Sequence, residues 1–166
     1  MFGWVSGAHF NPVVTIAAKF LDNFSSRDIV PYVIAQTIGG CIGTVIANLM
    51  FDLDAITLST KIRTGSNIWL SEAVATIGLL LVIFLISRSG RTSAVPFAVG
   101  VWIGGAYWFT SSTSLANPAV TLARSLTDTF AGIAPESVPM FVLMQLVGLA
   151  IALVIIKFIA PQTDSQ

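Results

Sequence analysis

Charged residues are scarce in this chain: eight basic and eight acidic side chains make up 10% of its 166 residues, whereas a soluble domain carries about 25%. Their net charge is zero, which argues against a nucleic-acid partner. A single cysteine, Cys41, excludes a disulfide framework and a cysteine-based metal site. No Ser-His-Asp, Cys-His or multi-carboxylate constellation is present, so the sequence predicts no enzyme and no metal or cofactor.

Apolar residues dominate instead: they make up 55% of the chain, and the mean hydropathy is +0.86. A helix needs roughly 20 apolar residues to cross a bilayer core of ~30 Å. We predict four full spans, over 29–51, 67–87, 95–109 and 139–159, with an extramembrane loop over 52–66. The sequence therefore predicts an all-α, multi-pass integral protein of the cell membrane, with the lipid bilayer as its partner. Gly100-x-x-x-Gly104 in the third span indicates close approach to another helix.

One short pattern occurs twice. Asn-Pro-x-Val-Thr stands at 11–15 and again at 117–121, and each copy opens a half-length apolar segment, over 12–21 and 118–130. In the span that follows each copy, Gln-x-x-Gly recurs, as Gln36…Gly39 and as Gln145…Gly148. Two linked matches in the same order predict an internal structural repeat.

The two copies of the repeat are unequal. Two full spans precede the second Asn-Pro motif, and none precedes the first. We therefore interpret 1–51 as a partial first repeat and 67–166 as a complete second one. By this internal symmetry the chain is expected to lack about two helices at its N-terminus.

The basic residues indicate the orientation of the two copies. With four spans and two half-helices, one side of the membrane receives five basic residues: Lys19, Arg27, Arg88, Arg91 and Lys157. The other side receives three, together with most of the acids: Lys61, Arg63 and Arg124, with Asp52, Asp54, Asp128 and Glu136. The first side is expected to be cytoplasmic. The two repeats then enter the membrane from opposite faces, as in membrane transport folds.

Both half-helices begin with Asn followed by Pro, which suits a helix N-terminus. Proline at the first helical position loses no hydrogen bond, and the asparagine caps the helix from before it. A helix that stops inside the membrane persists only where it lines a cavity or is buried in protein. Two such N-termini meeting at mid-membrane would offer Asn11 and Asn117 amide donors to a neutral polar solute. Their dipoles, about +0.5 charge each, oppose cations and protons.

Four features carry a family resemblance: Ser-Gly-Ala-His-Phe-Asn-Pro at 6–12, Tyr32-x-x-Ala-Gln36-x-x-Gly39, Glu72, and Ala-Asn-Pro-Ala at 116–119. Together they resemble the aquaporin, or major intrinsic protein, family over nearly the whole chain. The resemblance implies a channel of six helices and two half-helices, a homotetramer with one pore per protomer, and Asn11 and Asn117 as paired pore donors. It also implies that Gln36 and Glu72 are buried supports of the half-helix loops. His9 belongs to the loop motif and is expected to bond nearby backbone.

The chain departs from the family pattern at both motifs. Val13 replaces the family's alanine in the first motif (Asn11-Pro12-Val13), which is a packing change. In the second motif (Asn117-Pro118-Ala119) the departure concerns the outer selectivity filter, where most of the family has an arginine directly after the alanine. Here that position is Val120, and Arg124 follows one helical turn later. We expect Arg124 at the pore mouth or paired with Asp128; the alternative is that its side chain leans back towards position 120.

The remaining filter positions can be placed in part. Ser114 matches one of them. Counting forward from Gly100 puts the next at Tyr107, whereas counting back from the second Asn-Pro motif puts it at Gly105. The last filter residue belongs to the family's second helix, which by the resemblance precedes this chain.

A filter with a serine and a valine is open and apolar, and the stretch 107–124 resembles a bacterial aquaporin subgroup associated with arsenic detoxification. The resemblance predicts passage of neutral metalloid hydroxides such as arsenite, of small polyols such as glycerol, and of water. Three alternatives remain: an ordinary water channel, a truncated fragment without activity, and a secondary transporter. The transporter would need a titratable residue at the motifs, for which only Glu72 is available.

Overall fold

The computed structural model describes residues 3–161, and helices are the only regular secondary structure in that part of the chain. The α-helices are α1 (Gly3–Ser6), α2 (Pro12–Leu21), α3 (Ser26–Met50), α4 (Ser66–Arg88), α5 (Val95–Phe109), α6 (Pro118–Ala123) and α7 (Val138–Ile159). Three single 3₁₀ turns flank them, at Thr92–Ala94, Arg124–Leu126 and Pro135–Ser137. The predicted all-α membrane class is confirmed.

Three helical segments within residues 3–161 are long and apolar enough to cross a membrane: Ser26–Met50, Ser66–Arg88 and Pro135–Ile159. The helix α5 has the bounds predicted for a fourth span, 95–109, but its 15 residues reach only about 22 Å, and that it crosses the membrane stays a prediction. Its C-terminus is set by Thr110, whose backbone is extended and whose hydroxyl donates back to the Ala106 carbonyl.

The second half-helix, α6, is shorter than predicted. It was expected over 118–130, but α6 ends at Ala123 and its 3₁₀ turn ends at Leu126. Thr127 is extended, and its hydroxyl donates to the Asn48 side chain of α3 at 2.7 Å. The preceding carbonyls accept hydrogen bonds from the loop 57–59. These tertiary partners replace the intrahelical bonds that a longer helix would have made.

The half-helix α2 is buried in the core that α4 and α7 form. Its residues pack with both of those helices in one apolar cluster, whose buried members are Val13, Val14, Ala17, Ala18, Leu21, Leu80, Phe84, Leu149, Ala152 and Ile156. The half-helix α6 lies against α3, where a Cβ added to Gly40 would stand 3.3 Å from that of Ala123. Each half-helix is thus enclosed by long helices, the setting that a non-spanning membrane helix requires.

The helix α5 contacts α4 through a tryptophan. A Cβ added to Gly100 or Gly104 would find no atom of residues 3–161 within 4 Å, so these glycines make no close approach to another helix in that part of the chain. The contact is made by Trp102, whose ring occupies the notch at Gly78 of α4 and whose Nε1 donates to the Ala75 carbonyl at 3.1 Å.

The two half-helices run in opposite directions. Near the C-terminus of α2, Phe20 lies under the ammonium of Lys157 at the C-terminal end of α7. At the same end, Arg88 of α4 donates to carbonyls of the last turn of α7. The end of α6 instead accepts hydrogen bonds from residues 57 and 59, in the loop that leads to the start of α4. Since α4 joins these two ends, α2 and α6 approach the middle from opposite sides.

Candidate functional site

The two Asn-Pro motifs form matching helix caps. Asn11 and Asn117 are extended, with φ of −152° and −159°, and each is followed by proline at the first helical position. The Asn11 Oδ1 accepts from the Val13 backbone N–H at 3.0 Å, and the Asn117 Oδ1 accepts from the Ala119 N–H at 3.0 Å. Local sequence chemistry therefore explains why both helices begin where they do.

The same two side chains join the motifs to each other. The Asn11 Nδ2 donates to the Ala116 carbonyl at 2.7 Å, and the Asn117 Nδ2 donates to the Phe10 carbonyl at 2.9 Å. Each carbonyl belongs to the residue before the opposite asparagine, so the bonds are reciprocal. An amide nitrogen carries two hydrogens, and residues 3–161 offer no second acceptor to either one. Asn11 and Asn117 have 7% and 9% of their surfaces exposed, and one N–H of each has no acceptor in that part of the chain; that these groups bind a solute stays a prediction.

A threonine and a glutamine support the first cap. The Thr15 hydroxyl donates to the Asn11 carbonyl at 3.3 Å and accepts from the Gln36 Nε2 at 2.9 Å. The Gln36 Nε2 also donates to the His9 carbonyl. Gln36 therefore ties α3 to both the helix and the loop of the first motif.

The second cap has the same support with one addition. The Thr121 hydroxyl donates to the Asn117 carbonyl and accepts from the Gln145 Nε2, both at 2.8 Å. The Gln145 Nε2 also donates to the Glu72 Oε1 at 2.6 Å, and the same oxygen accepts from the Ala116 N–H at 2.5 Å. Glu72 thus links α4, α7 and the loop of the second motif in a fully buried position.

The two threonines were not among the predicted site residues, although the signal was present. Each is the last residue of one copy of the Asn-Pro-x-Val-Thr pattern, one helical turn after its asparagine. A hydroxyl at that spacing reaches the carbonyl four residues earlier. Repetition of the threonine with the asparagine was the clue.

His9 makes a different contact from the one expected. Its ring packs against Phe24 and Tyr32, with centroid distances of 5.2 and 6.0 Å. The imidazole makes no hydrogen bond to backbone within residues 3–161, so that prediction was wrong; the carbonyl of His9 is the atom that Gln36 binds.

The predicted filter positions around the second motif differ in burial. Val120 is partly buried and packs against the cluster of Leu115, Ile133 and Phe141. Ser114 is buried in a left-handed conformation (φ 52°), and its hydroxyl has no partner in the described part of the chain. Of the two candidates on α5, Tyr107 is partly buried and Gly105 is exposed.

Arg124 lines a cavity together with Thr44 and Asn48, near the C-terminal turns of α3. Its place at the pore mouth stays a prediction, whereas the alternative pairing with Asp128 is not observed in the described part of the chain. Arg124 forms no ion pair with Asp128 within residues 3–161, because that carboxylate accepts from the backbone and the hydroxyl of Thr60, at 3.0 and 2.9 Å. These two groups lower the pKa of Asp128. Position 124 belongs to the 3₁₀ turn that follows the shortened α6.

Arg63 is a residue that sequence reasoning missed. It lies in the irregular loop between α3 and α4, where no periodic pattern marks a side chain as buried. Its guanidinium nonetheless makes three hydrogen bonds to backbone carbonyls of two other loops, at Ser112, Phe130 and Gly132. Burial lowers the pKa of Arg63, while the charges of Glu72 and Tyr107 raise it.

Comparison with known proteins agrees with this geometry. The family model described as Major intrinsic protein matches residues 1–114. Aquaglyceroporin AqpS of Rhizobium meliloti is 48% identical over 159 residues, which cover 96% of this chain and 68% of that protein. Probable aquaporin AqpM of Archaeoglobus fulgidus is 31% identical over 173 residues, covering 96% of this chain and 70% of that protein. Aquaporin NIP1-2 of Arabidopsis thaliana is 33% identical over 111 residues, covering 61% and 37%.

Proposed function

The chain belongs to the major intrinsic protein family, whose members are membrane channels for water and small solutes, and from this premise we propose that it conducts neutral hydroxylated solutes larger than water. The solutes we propose are metalloid hydroxides such as arsenite and small polyols such as glycerol, with water passing as well. The proposal concerns the permeant class; the family and the location in the cell membrane are established by the comparisons and the apolar helices.

The observation that carries this proposal is Val120. It occupies the position directly after the second Asn-Pro-Ala, at the start of a helix that leads to one end of the molecule. Its side chain contributes methyl groups continuous with the cluster of Leu115, Ile133 and Phe141. A wall of methyl groups next to the small Ser114 leaves more room, and demands less hydrogen bonding, than an arginine would. The name of the relative AqpS, aquaglyceroporin, supports permeation by solutes beyond water.

The paired asparagines support selection for neutral solutes. Asn11 and Asn117 each keep one N–H beyond their reciprocal bonds, and both cap a helix N-terminus carrying about +0.5 charge. Hydroxyl or water oxygens accept hydrogen bonds from such donors, whereas a cation is repelled. Passage is therefore passive, and we propose no role for ion coupling.

We also propose a homotetramer, following the family resemblance. The exposed isoleucines of α3, at positions 34, 38, 42 and 46, recur every fourth residue and form a continuous apolar stripe along the helix. Such a stripe suits either lipid or a neighbouring protomer.

The test compares three forms of the protein in lipid vesicles: wild type, Val120→Arg and Val120→Leu. Arginine at 120 is expected to lower arsenite and glycerol flux about tenfold, a barrier of roughly 1.4 kcal/mol, with a smaller change in water flux. Leucine adds bulk without charge, and is expected to fall between the other two.

Each outcome has a definite meaning. A wild type that passes water but neither arsenite nor glycerol identifies an ordinary water channel, and no flux at all identifies an inactive product. Flux that saturates and follows a Na⁺ or H⁺ gradient identifies a transporter. An arsenite-to-water ratio that is the same in wild type and Val120→Arg removes Val120 as the determinant.

A further inference from the structure

The loop that carries Arg63 is held in one position by regular hydrogen bonds. Every second residue from 57 to 63 is bonded to the segment 125–137: Thr57 N–H to Leu126 O (3.1 Å), Ser59 N–H to Ser125 O (3.0 Å), Ala134 N–H to Lys61 O (2.8 Å) and Arg63 N–H to Ser137 Oγ (3.0 Å). An extended segment anchored at this interval has its side chains set by its backbone. The position of Arg63 relative to the segment 125–137 is therefore fixed.

The guanidinium bridges the loops on either side of the second motif. Its Nε donates to the Gly132 carbonyl at 2.7 Å, its Nη2 to the Phe130 carbonyl at 3.0 Å, and its Nη1 to the Ser112 carbonyl at 3.2 Å. Gly132 and Phe130 follow α6, whereas Ser112 precedes it. The charge thus lies where the loops before and after α6 meet.

The guanidinium of Arg63 is linked to the elements that carry two predicted filter positions, Ser114 and Tyr107. The Ser112 hydroxyl accepts from the Ser114 N–H at 3.1 Å, so the bonded loop is the one that presents Ser114. Arg63 also lies near enough to Tyr107 of α5 for an ionised Tyr107 side chain to raise the pKa of the guanidinium. Arg63 is therefore bonded to the loop 110–117 and lies within electrostatic range of α5, the two elements that carry those positions.

The guanidinium keeps capacity for a solute. It has five N–H groups, and three of them donate to the carbonyls of Ser112, Phe130 and Gly132. The other two, one on each terminal nitrogen, have no acceptor within residues 3–161, and the side chain is only partly buried. Arg124 offers no such arrangement, because it lines the cavity beside α3 instead.

We propose that Arg63, brought in by the loop between α3 and α4, supplies the cationic hydrogen-bond donor of the outer constriction that Val120 does not supply. It binds the hydroxyl oxygens of neutral hydroxylated solutes and repels cations. Because the Arg63 side chain comes from a loop and not from α6, it leaves the space beside Val120 open. This inference rests on the proposed function, since it concerns the specificity of the same pore.

The experiment measures Na⁺ leak together with glycerol, arsenite and water flux in vesicles holding the full chain. Arg63→Met is expected to raise Na⁺ leak about ten- to hundredfold, the effect of removing one unit charge a few ångströms from a permeating ion. Lys61→Met is the matched control: it removes the same charge from the same loop, and no side-chain hydrogen bond of Lys61 is found within residues 3–161. It is expected to leave the leak unchanged.

Two further variants separate a filter role from a purely structural one. Arg63→Lys keeps the charge but loses the planar fork, so it is expected to exclude Na⁺ while changing the glycerol-to-water ratio. Arg63→Met combined with Val120→Arg is expected to regain Na⁺ exclusion, with lower arsenite and glycerol flux than wild type.

Several results would overturn the proposal. One is an Arg63→Met protein that folds, as judged by its melting temperature, and excludes Na⁺ as well as wild type does. Another is a leak that Val120→Arg fails to close although the double variant folds. If Arg63→Met does not fold, Arg63→Lys decides, and an unchanged glycerol-to-water ratio counts against the proposal. A wild type that conducts water alone refutes the proposed permeant class, while the Na⁺ comparison still tests Arg63.

Discussion

Replacing Gly78 by alanine should loosen α5 from the rest of the protein. The added Cβ would stand 1.9 Å from Cζ2 and 2.2 Å from Cη2 of Trp102, whereas carbon atoms in contact are separated by about 3.5–4.0 Å. The indole must therefore withdraw, and its hydrogen bond to the Ala75 carbonyl is lost with it.

The magnitude follows from three contributions. Overpacking costs about 1–3 kcal/mol, and the lost hydrogen bond costs about 0.5–1.5 kcal/mol. Alanine is favoured over glycine inside a helix by about 0.8–1.0 kcal/mol, which offsets part of the loss. We expect Gly78→Ala to lower the free energy of unfolding by roughly 2 kcal/mol, measured by titrating the detergent-solubilised protein with a denaturing detergent.

The control is Gly104→Ala in α5, where an added Cβ meets no atom of the described residues within 4 Å. It receives the gain in helix propensity without the clash, and is expected to be neutral or slightly stabilising. On a Trp102→Leu background, the clash partner is gone, so Gly78→Ala should cost little. The reasoning is refuted if Gly78→Ala and Gly104→Ala are equally stable, or if the cost of Gly78→Ala persists without the tryptophan.

Two further predictions concern the buried network and the outer loops. Glu72→Leu leaves the buried Ala116 N–H without its acceptor and should cost about 1–3 kcal/mol in unfolding free energy, whereas Glu72→Gln keeps an acceptor oxygen and should cost less; equal losses in the same titration would contradict this. Because Thr60 lowers the pKa of Asp128, the stabilisation that its carboxylate provides is present above the ordinary carboxylate pKa, about 4, and is lost as the pH falls below it. Asp128→Asn should therefore be less stable than wild type at pH 7 and approach it near pH 3, and a difference independent of pH would argue against this.

Features encoded locally were predictable from the sequence. The Asn-Pro caps depend on the residue type at two adjacent positions, so the starts of α2 and α6 agree with the predicted starts at 12 and 118. The membrane class and the family, which follow from composition and from motif order, are confirmed. The roles assigned to Asn11, Asn117 and Val120 in permeation stay predictions, since contacts alone do not measure flux.

Features decided by tertiary contacts were not predictable. The glycines at 100 and 104 show only that a helix surface is smooth, and not that another helix lies against it; the notch is at Gly78 because Trp102 reaches it. The end of α6 was misjudged because its apolar pattern continues past Ala123, whereas the backbone there bonds to the loop 57–59. Arg124 accordingly lies in a 3₁₀ turn and lines a cavity with residues of α3.

Arg124 and Arg63 differ in what holds their guanidinium groups. Distance along the chain favours Arg124, four residues after Val120, but its side chain lies against α3, and no carbonyl within residues 3–161 accepts from it. Arg63 is more than fifty residues away in sequence, yet three carbonyls hold its head group. Those carbonyls belong to the loops on either side of the second motif. They therefore hold the charge beside that motif, although Arg63 comes from a distant part of the sequence. On our proposal, a loop bonded as regularly as 57–63 therefore supplies the charge that Val120 of α6 does not.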